Sequence, residues 1–100
     1  MKGALIMQIR NTEVFKKWLK NLDAYIKLIV LENIDKLEKG NFSNIKSVGG
    51  GIHELKIYFQ KGYRIYFTNI DGKIIILLCG GNKSSQQKDI EKARKIKECL

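Results

Sequence analysis

Arg64 and Lys56 are the residues around which chemistry can be built. Arg64 is one of only three arginines among nineteen basic residues. Its planar fork can hold two phosphate oxygens at once, whereas a lysine acts as a mobile point charge. Strand alternation puts Glu54, Lys56 and Tyr58 on one face of a strand and Arg64, Tyr66 and Thr68 on one face of the next. Two positive charges held side by side need a reason, and a bound phosphate is one. The other reading is a solvated face with Glu54 neutralising both. With Lys56 and Arg64 as surface neighbours on that face, Arg64→Ala is expected to cost no more than about 0.5 kcal/mol. Lys83 follows Gly80-Gly81 and precedes Ser84. A helix beginning there would aim free N–H groups and a positive dipole end into a Gly-Gly bend, a plausible anion seat. The same Gly-Gly is also read as a simple turn, and the full GxxxxGK[ST] spacing of a phosphate-binding loop is missing. His53 is the single imidazole, either a general acid or base for metal-free phosphate chemistry or a surface residue at a strand start. Cys79 and Cys99 have no CxxC spacing and one histidine between them, so they read as reduced thiols and no metal site or cofactor is expected.

The chain around these residues has 100 residues, 44% hydrophobic and 29% charged. That is enough for one hydrophobic core, and a single domain over residues 1–100 is expected. Nineteen basic against ten acidic residues give a net charge of +9, which steers toward polyanions and favours nucleic acid. The lysines are spread along the chain and form no basic face on an apolar helix, which argues against a membrane surface. No apolar run approaches the roughly 20 residues of a bilayer span. The segment before Gln8 is too short for a signal-peptide core, so a cytoplasmic protein is expected.

Periodicity supplies the elements. Leu5 to Arg10 alternates as a strand. Asn11 and Thr12 offer N-caps to a short helix with Phe15, Trp18, Leu19 and Leu22 on one stripe. Asp23 caps a longer helix ending near Gly40, and the two form a helical hairpin. Asn41 to Gly51, closing in three glycines, reads as a loop. Three strands follow, Ile52 to Phe59, Tyr63 to Asn69 and Lys73 to Cys79, with Asp71-Gly72 as a hairpin turn. A Gln60-Lys61-Gly62 loop with Gly62 left-handed is expected to pair Phe59 with Tyr63 and to set Lys56 opposite Arg64. The next turn is expected to set Arg64 opposite Cys79, making a row on the face away from the hairpin. Ile74 to Leu78 is apolar on both sides and needs a cover, supplied by a C-terminal helix with Ile90, Ala93 and Ile96. Ser84 and Gln87 are spaced as its capping box.

The segments Gly51-Ile52-His53-Glu54-Leu55-Lys56, Gly62-Tyr63-Arg64-Ile65-Tyr66-Phe67 and Leu77-Leu78-Cys79-Gly80-Gly81-Asn82-Lys83-Ser84-Ser85-Gln86, with Asp89-Ile90 and Ala93, together resemble the RelE/ParE toxin superfamily. Phe15-Lys16-Lys17-Trp18-Leu19 and Gly40-Asn41-Phe42 with Lys46 and Gly49 extend the likeness toward its HigB-like addiction module killer protein branch. The resemblance implies an α+β fold: an N-terminal helical hairpin on a twisted antiparallel four-stranded sheet, with a C-terminal helix. It also implies the toxin of a type II toxin–antitoxin pair, a ribosome-dependent, metal-independent mRNA endonuclease in which the 2′-hydroxyl attacks the adjacent phosphate. Arg64 matches the family's phosphate-binding arginine, Lys56 a basic residue on the preceding strand, and Lys83 lies near a second basic position. Lys61, Lys83 and Lys88 are then RNA contacts. RelE carries a tyrosine about where Ile90 falls here, so the general acid and base are left open among Lys56, Tyr66 and His53. Implied partners are a cognate antitoxin, in a toxin–antitoxin hetero-oligomer, and the ribosome with its mRNA. The alternatives are a ParE-type inhibitor of DNA gyrase, which shares this fold without nuclease chemistry, and an RNA-binding module without catalysis.

Overall fold

A computed structural model describes residues 7–100. The order of elements is β1 (Gln8–Asn11), α1 (Glu13–Lys20), α2 (Ala24–Glu38), β2 (Ile45–Gly49), β3 (Ile52–Ile57), β4 (Tyr63–Ile70), β5 (Ile74–Asn82), a 3₁₀ turn (Lys83–Ser85) and α3 (Gln86–Glu98). Leu5 and Ile6 of the expected first strand lie outside the described residues. Both early helices start at the caps that the sequence offers. The Thr12 hydroxyl accepts from the Phe15 amide at 3.0 Å, and the Asp23 carboxylate accepts from the Tyr25 amide at 3.2 Å. Gly40, at φ +85°, takes the left-handed position after α2.

The sheet has five strands in the order β1-β5-β4-β3-β2, and it is mixed, which corrects the expected four-stranded antiparallel sheet in two ways. The segment read as a loop contains β2, which pairs antiparallel to β3 from Ile45 opposite Leu55 to Gly49 opposite Ile52, with a bulge after Ser47. Its exposed lysine and serine and its glycine end gave a weak strand pattern, as suits an edge strand with one face to water. The second correction concerns β1, which runs parallel to β5. The helical hairpin carries the chain away before β2, so β1 is free to close the opposite edge alongside the last strand.

The loop after β3 is longer than expected. Ile57, not Phe59, stands opposite Tyr63, and this is the register that sets Lys56 opposite Arg64, since a Phe59–Tyr63 pair would set Lys56 opposite Tyr66; Gly62 is left-handed at φ +73°. Between β4 and β5 the register shifts at Tyr66/Phe67, with Tyr66 opposite Cys79 and Phe67 opposite Leu77. The turn closes with Ile70 opposite Ile74, one residue longer than expected, and the bulge adds one residue more, so that together they set Gly81, rather than Cys79, opposite Arg64. The bulge also turns both Leu78 and Cys79 toward α3, where they are buried with Ile52, Tyr66, Ile90 and Ala93. The other face buries Leu55, Ile57, Ile65, Phe67, Ile75 and Leu77 against Phe15, Val30 and Leu37 of the hairpin. The apolar fifth strand is therefore covered on both sides, as its composition requires.

Gly80 and Gly81 form no bend, because β5 runs on through Asn82. A Cβ on Gly80 would stand 2.5 Å from Cε3 and Cζ3 of Trp18, and one on Gly81 would overlap the Asp89 carboxylate. The glycines are there for close approach of α1 and α3 to the strand. Gly80→Ala is accordingly expected to cost roughly 1–3 kcal/mol, as overpacking does. The check is a thermal melt together with the emission of Trp18, the single tryptophan. An unchanged melt would show that the ring has room to move.

Candidate phosphate-binding groove

The hairpin from β3 to β4 and the 3₁₀ turn after β5 meet at one end of the sheet. Between them lies an open groove of about 400 Å³, lined by Lys56, Tyr58, Phe59, Gln60, Lys61, Gly62, Arg64 and Lys83. Each cation has a structural reason to be there. Lys56 and Arg64 are cross-strand partners. Lys61 sits in the loop made necessary by the reversal between strands. Lys83 follows Asn82, whose side chain caps the 3₁₀ turn by accepting from the Ser84 amide at 2.9 Å, while the Asn82 amide donates to Ser85 Oγ at 3.2 Å. This reciprocal cap replaces the expected Ser84–Gln87 box and starts α3 at Gln86, one residue late. Lys83 thus reaches the groove from a short turn and not from a helix N-terminus over a Gly-Gly bend. A Cβ on Gly62 would stand 3.7 Å from Arg64 Nη1 and 3.8 Å from Lys83 Cβ, so Arg64 and Lys83 flank the same glycine.

The groove lining contains no carboxylate, yet one lies directly beneath it. Glu54 is 1% exposed and accepts from the Tyr66 hydroxyl at 3.0 Å and from Gln86 Nε2 at 2.8 Å, both on Oε2. Arg64 Nε stands 3.6 Å from the same oxygen, and Lys46 Nζ approaches Oε1 at 3.9 Å from the edge strand. Arg64 itself is only 4% exposed, which overturns the expectation of an exposed residue. Its Nη1 donates to the Gly62 carbonyl at 3.2 Å, and its Nε–H has no hydrogen-bond partner. The guanidinium is therefore held by charge attraction from below and by a single hydrogen bond, and it lines the groove. A fixed fork of this kind is preorganised for an incoming anion.

The structure divides the sequence-predicted residues. Lys56, Lys61, Arg64 and Lys83 come together. Tyr66 is fully buried below them, and its hydroxyl is spent on Glu54. Burial first, and then the neighbouring Glu54 charge, hold that hydroxyl well above the ordinary phenol range. His53 lies on the opposite face, stacked on Phe67 with ring centroids 5.4 Å apart, beside Phe42 and Ile45. Strand alternation dictates this, since residues 53 and 56 differ by an odd number. Lys88 is exposed on α3 and lines none of these surfaces. Two residues were missed as parts of the site. Tyr58, 70% exposed, lines the groove with its ring 5.0 Å from Lys56 Nζ, and Glu54 braces Arg64.

Among the described residues no group of three or more His, Cys, Asp or Glu could hold a metal ion, and no helix is long and apolar enough to cross a membrane. Both cysteines are free. Cys79 is buried and donates to the Asp89 carbonyl at 3.4 Å. Burial, with Asp89 adding to it, pushes its thiol up to about 12, from an ordinary 9.0. In native protein Cys99 should therefore react with a thiol reagent quickly and Cys79 only on unfolding. The same shifts set an alkaline limit. Cys79 and Tyr66 stay neutral in the folded chain where the unfolded chain would ionise them, so stability that is intact below about pH 9 is lost as pH rises through the folded Cys79 value. Thermal melts across that range should show the decline, and Cys79→Ala should remove part of it. A melt that stays flat to about pH 11 would contradict both shifts.

Residues 17–99 match the family described as phage derived protein Gp49-like (DUF891). An uncharacterized protein of Haemophilus influenzae is 46% identical over 99 residues, spanning 96% of this chain and 98% of the relative. Among solved structures, a mutant of the Escherichia coli toxin RelE in the free state superposes with a TM-score of 0.69 at 17% identity, over 91% of this chain and 98% of that one. A chain of the Mycobacterium tuberculosis RelBE2 toxin–antitoxin complex gives 0.67 at 17%, over 78% and 99%. A chain of the intact E. coli RelBE toxin–antitoxin complex gives 0.62 at 18%, over 76% and 95%. At these identities the structural likeness is one of fold.

Proposed function

The chain belongs to the Gp49-like family and has the RelE fold, and from that premise we propose that it is the toxin of a toxin–antitoxin pair, an endoribonuclease that cuts mRNA on the ribosome. The observation that carries this reading is the convergence of Lys56, Lys61, Arg64 and Lys83 on one groove without an acidic lining. Cleavage by an internal 2′-hydroxyl requires a cationic cradle for a phosphorane, not a nucleophile from the protein. The 2′-oxygen loses its proton and bonds to phosphorus. The bond to the 5′-oxygen breaks, that oxygen takes up a proton, and the upstream fragment is left with a 2′,3′-cyclic phosphate. Arg64 holds the non-bridging oxygens as their charge grows. Lys56 is the one member of the open set of acids and bases that faces the groove, so it is assigned the proton transfer. Tyr58 offers an exposed ring on which an unstacked base can lie. Lys61 and Lys83 neutralise flanking phosphates.

The test is to incubate the purified chain with translating ribosomes and a defined mRNA and to analyse the ends of the products. Cuts bearing 2′,3′-cyclic phosphate and 5′-hydroxyl ends are expected. Intact mRNA together with loss of gyrase supercoiling activity would transfer the chain to the gyrase-inhibitor class. Binding of RNA with neither effect would leave a module without catalysis.

A further inference from the structure

A second open cleft, of about 420 Å³, shares no lining residue with the cationic groove. Its walls include Lys17, Trp18 and Asn21 from α1 and its C-cap, Cys79 and Gly80 from β5, and Lys92 from α3. Topology creates it. β1 accompanies β5 only as far as Asn11 opposite Leu77, yet β5 runs on to Asn82. Beyond Leu77 that edge of the sheet has no strand beside it. The chain turns there into α1, whose Thr12 hydroxyl donates to the Leu78 carbonyl at 2.7 Å. The bare Gly80 lets the Trp18 ring settle against the strand, so a half-buried indole becomes one wall of the opening.

The charge of the cleft is of one sign. Lys17 and Lys92 are exposed, reach it from two different helices, and belong to no ion pair among the described residues. No carboxylate lines it. Asp89, three residues before Lys92, takes the Ser85 hydroxyl and would meet a Cβ on Gly81, while Glu13 is paired with Lys16. Lys17 also offsets the C-terminal dipole of α1, but Lys20 shares that duty in the same turn. Lys92 lies outside the last turn of α3 and has no such duty. Ammonium groups interleaved with an aromatic ring hold nucleotides, the cations on phosphate and the ring on the base. An apolar ligand would leave both lysines unused, and a bare anion would leave the indole unused.

We infer that this cleft binds one nucleotide unit, with its phosphate between Lys17 and Lys92, its base against Trp18 and the Asn21 amide within reach of the base edge. The inference does not depend on the toxin reading, because binding here involves no cleavage and is measured without ribosomes.

Trp18 is the single tryptophan, so its emission reports on this cleft. The purified chain is titrated with AMP, adenosine, inorganic phosphate and a short oligoadenylate, with excitation at the red edge of the indole band, where nucleobases do not absorb. A saturable change with AMP is expected, and adenosine or phosphate alone should bind at least about tenfold more weakly, since hydrogen bonds to a charged group contribute that much. A Lys17→Gln, Lys92→Gln variant with a matched melting temperature should lose affinity for AMP by a similar factor, and the Lys17→Arg, Lys92→Arg pair should retain it. A Lys61→Gln, Lys83→Gln variant, altered only in the groove, should respond to AMP as the wild type does. The oligoadenylate identifies the source of the nucleotide: affinity equal to that of AMP means a free nucleotide, and tighter binding that survives the groove substitutions means one unit of an RNA strand. Emission that no nucleotide changes would overturn the inference. So would a response that persists in the Lys17→Gln, Lys92→Gln variant, or one that disappears with the groove pair, which would return the binding to the groove.

Discussion

Arg64→Ala is expected to slow cleavage of ribosome-bound mRNA by roughly 10²- to 10³-fold, the scale of losing one preorganised donor aimed at developing charge. Arg64→Lys should recover only part of this, because a point charge restores attraction without the two-toothed geometry. The expectation has a structural cost attached that a surface arginine would not carry. Arg64 is buried above Glu54, so its removal leaves a carboxylate with one cation fewer in a low-dielectric site. A loss of about 1–3 kcal/mol in stability should accompany the loss of rate. Single-turnover cleavage at a temperature well below the melting point of each variant separates the two effects. An Arg64→Ala chain that is folded and cuts at the parental rate would remove Arg64 from the mechanism.

Glu54→Ala should be the most damaging single substitution to the fold. Its carboxylate is the common acceptor for Tyr66 on β4 and Gln86 on α3, and the counter-charge for Arg64. Breaking a buried pair from the acidic side leaves the guanidinium without compensation and two donors unsatisfied, a loss of about 3 kcal/mol or more. For a chain of this length that corresponds to a fall in Tm of more than about 10 °C. Glu54→Gln keeps an acceptor for the tyrosine and isolates the charge. It should recover part of the stability but still slow cleavage, because the Arg64 fork is then free to turn. A Glu54→Gln chain with normal cleavage would show that Arg64 is positioned without help from below.

The contrast between these two residues shows what the sequence could reveal. Two-residue alternation put Lys56 and Arg64 on one face, and the structure has them as direct partners. The two apolar faces of β5 demanded a cover on each side, and α3 and the hairpin supply it. The same alternation showed Glu54 beside them, but as a solvated neutraliser. The cue to its burial was already present, since a helix was expected over that face and an acid beneath a helix must be paired. Other features had no local signal. The bulge at Tyr66/Phe67, which with the longer turn sets Arg64 opposite Gly81, follows from packing both Leu78 and Cys79 under α3, which is a tertiary demand. Strand β2 was hidden because an edge strand shows half a pattern. The parallel pairing of β1 depends on where the whole hairpin delivers the chain. His53 could have been excluded by counting, because it is three residues from Lys56.

The most direct test of the central claim, that the cationic groove cuts RNA, is primer extension on mRNA from cells making the wild-type chain or a Lys56→Met, Arg64→Lys variant whose melting temperature has been matched. Discrete cuts within translated regions that appear with the wild type and vanish with the variant, along with growth arrest, are the predicted result. Cuts at the same sites and intensity from the variant, or arrest by the wild type with every message intact, would contradict it.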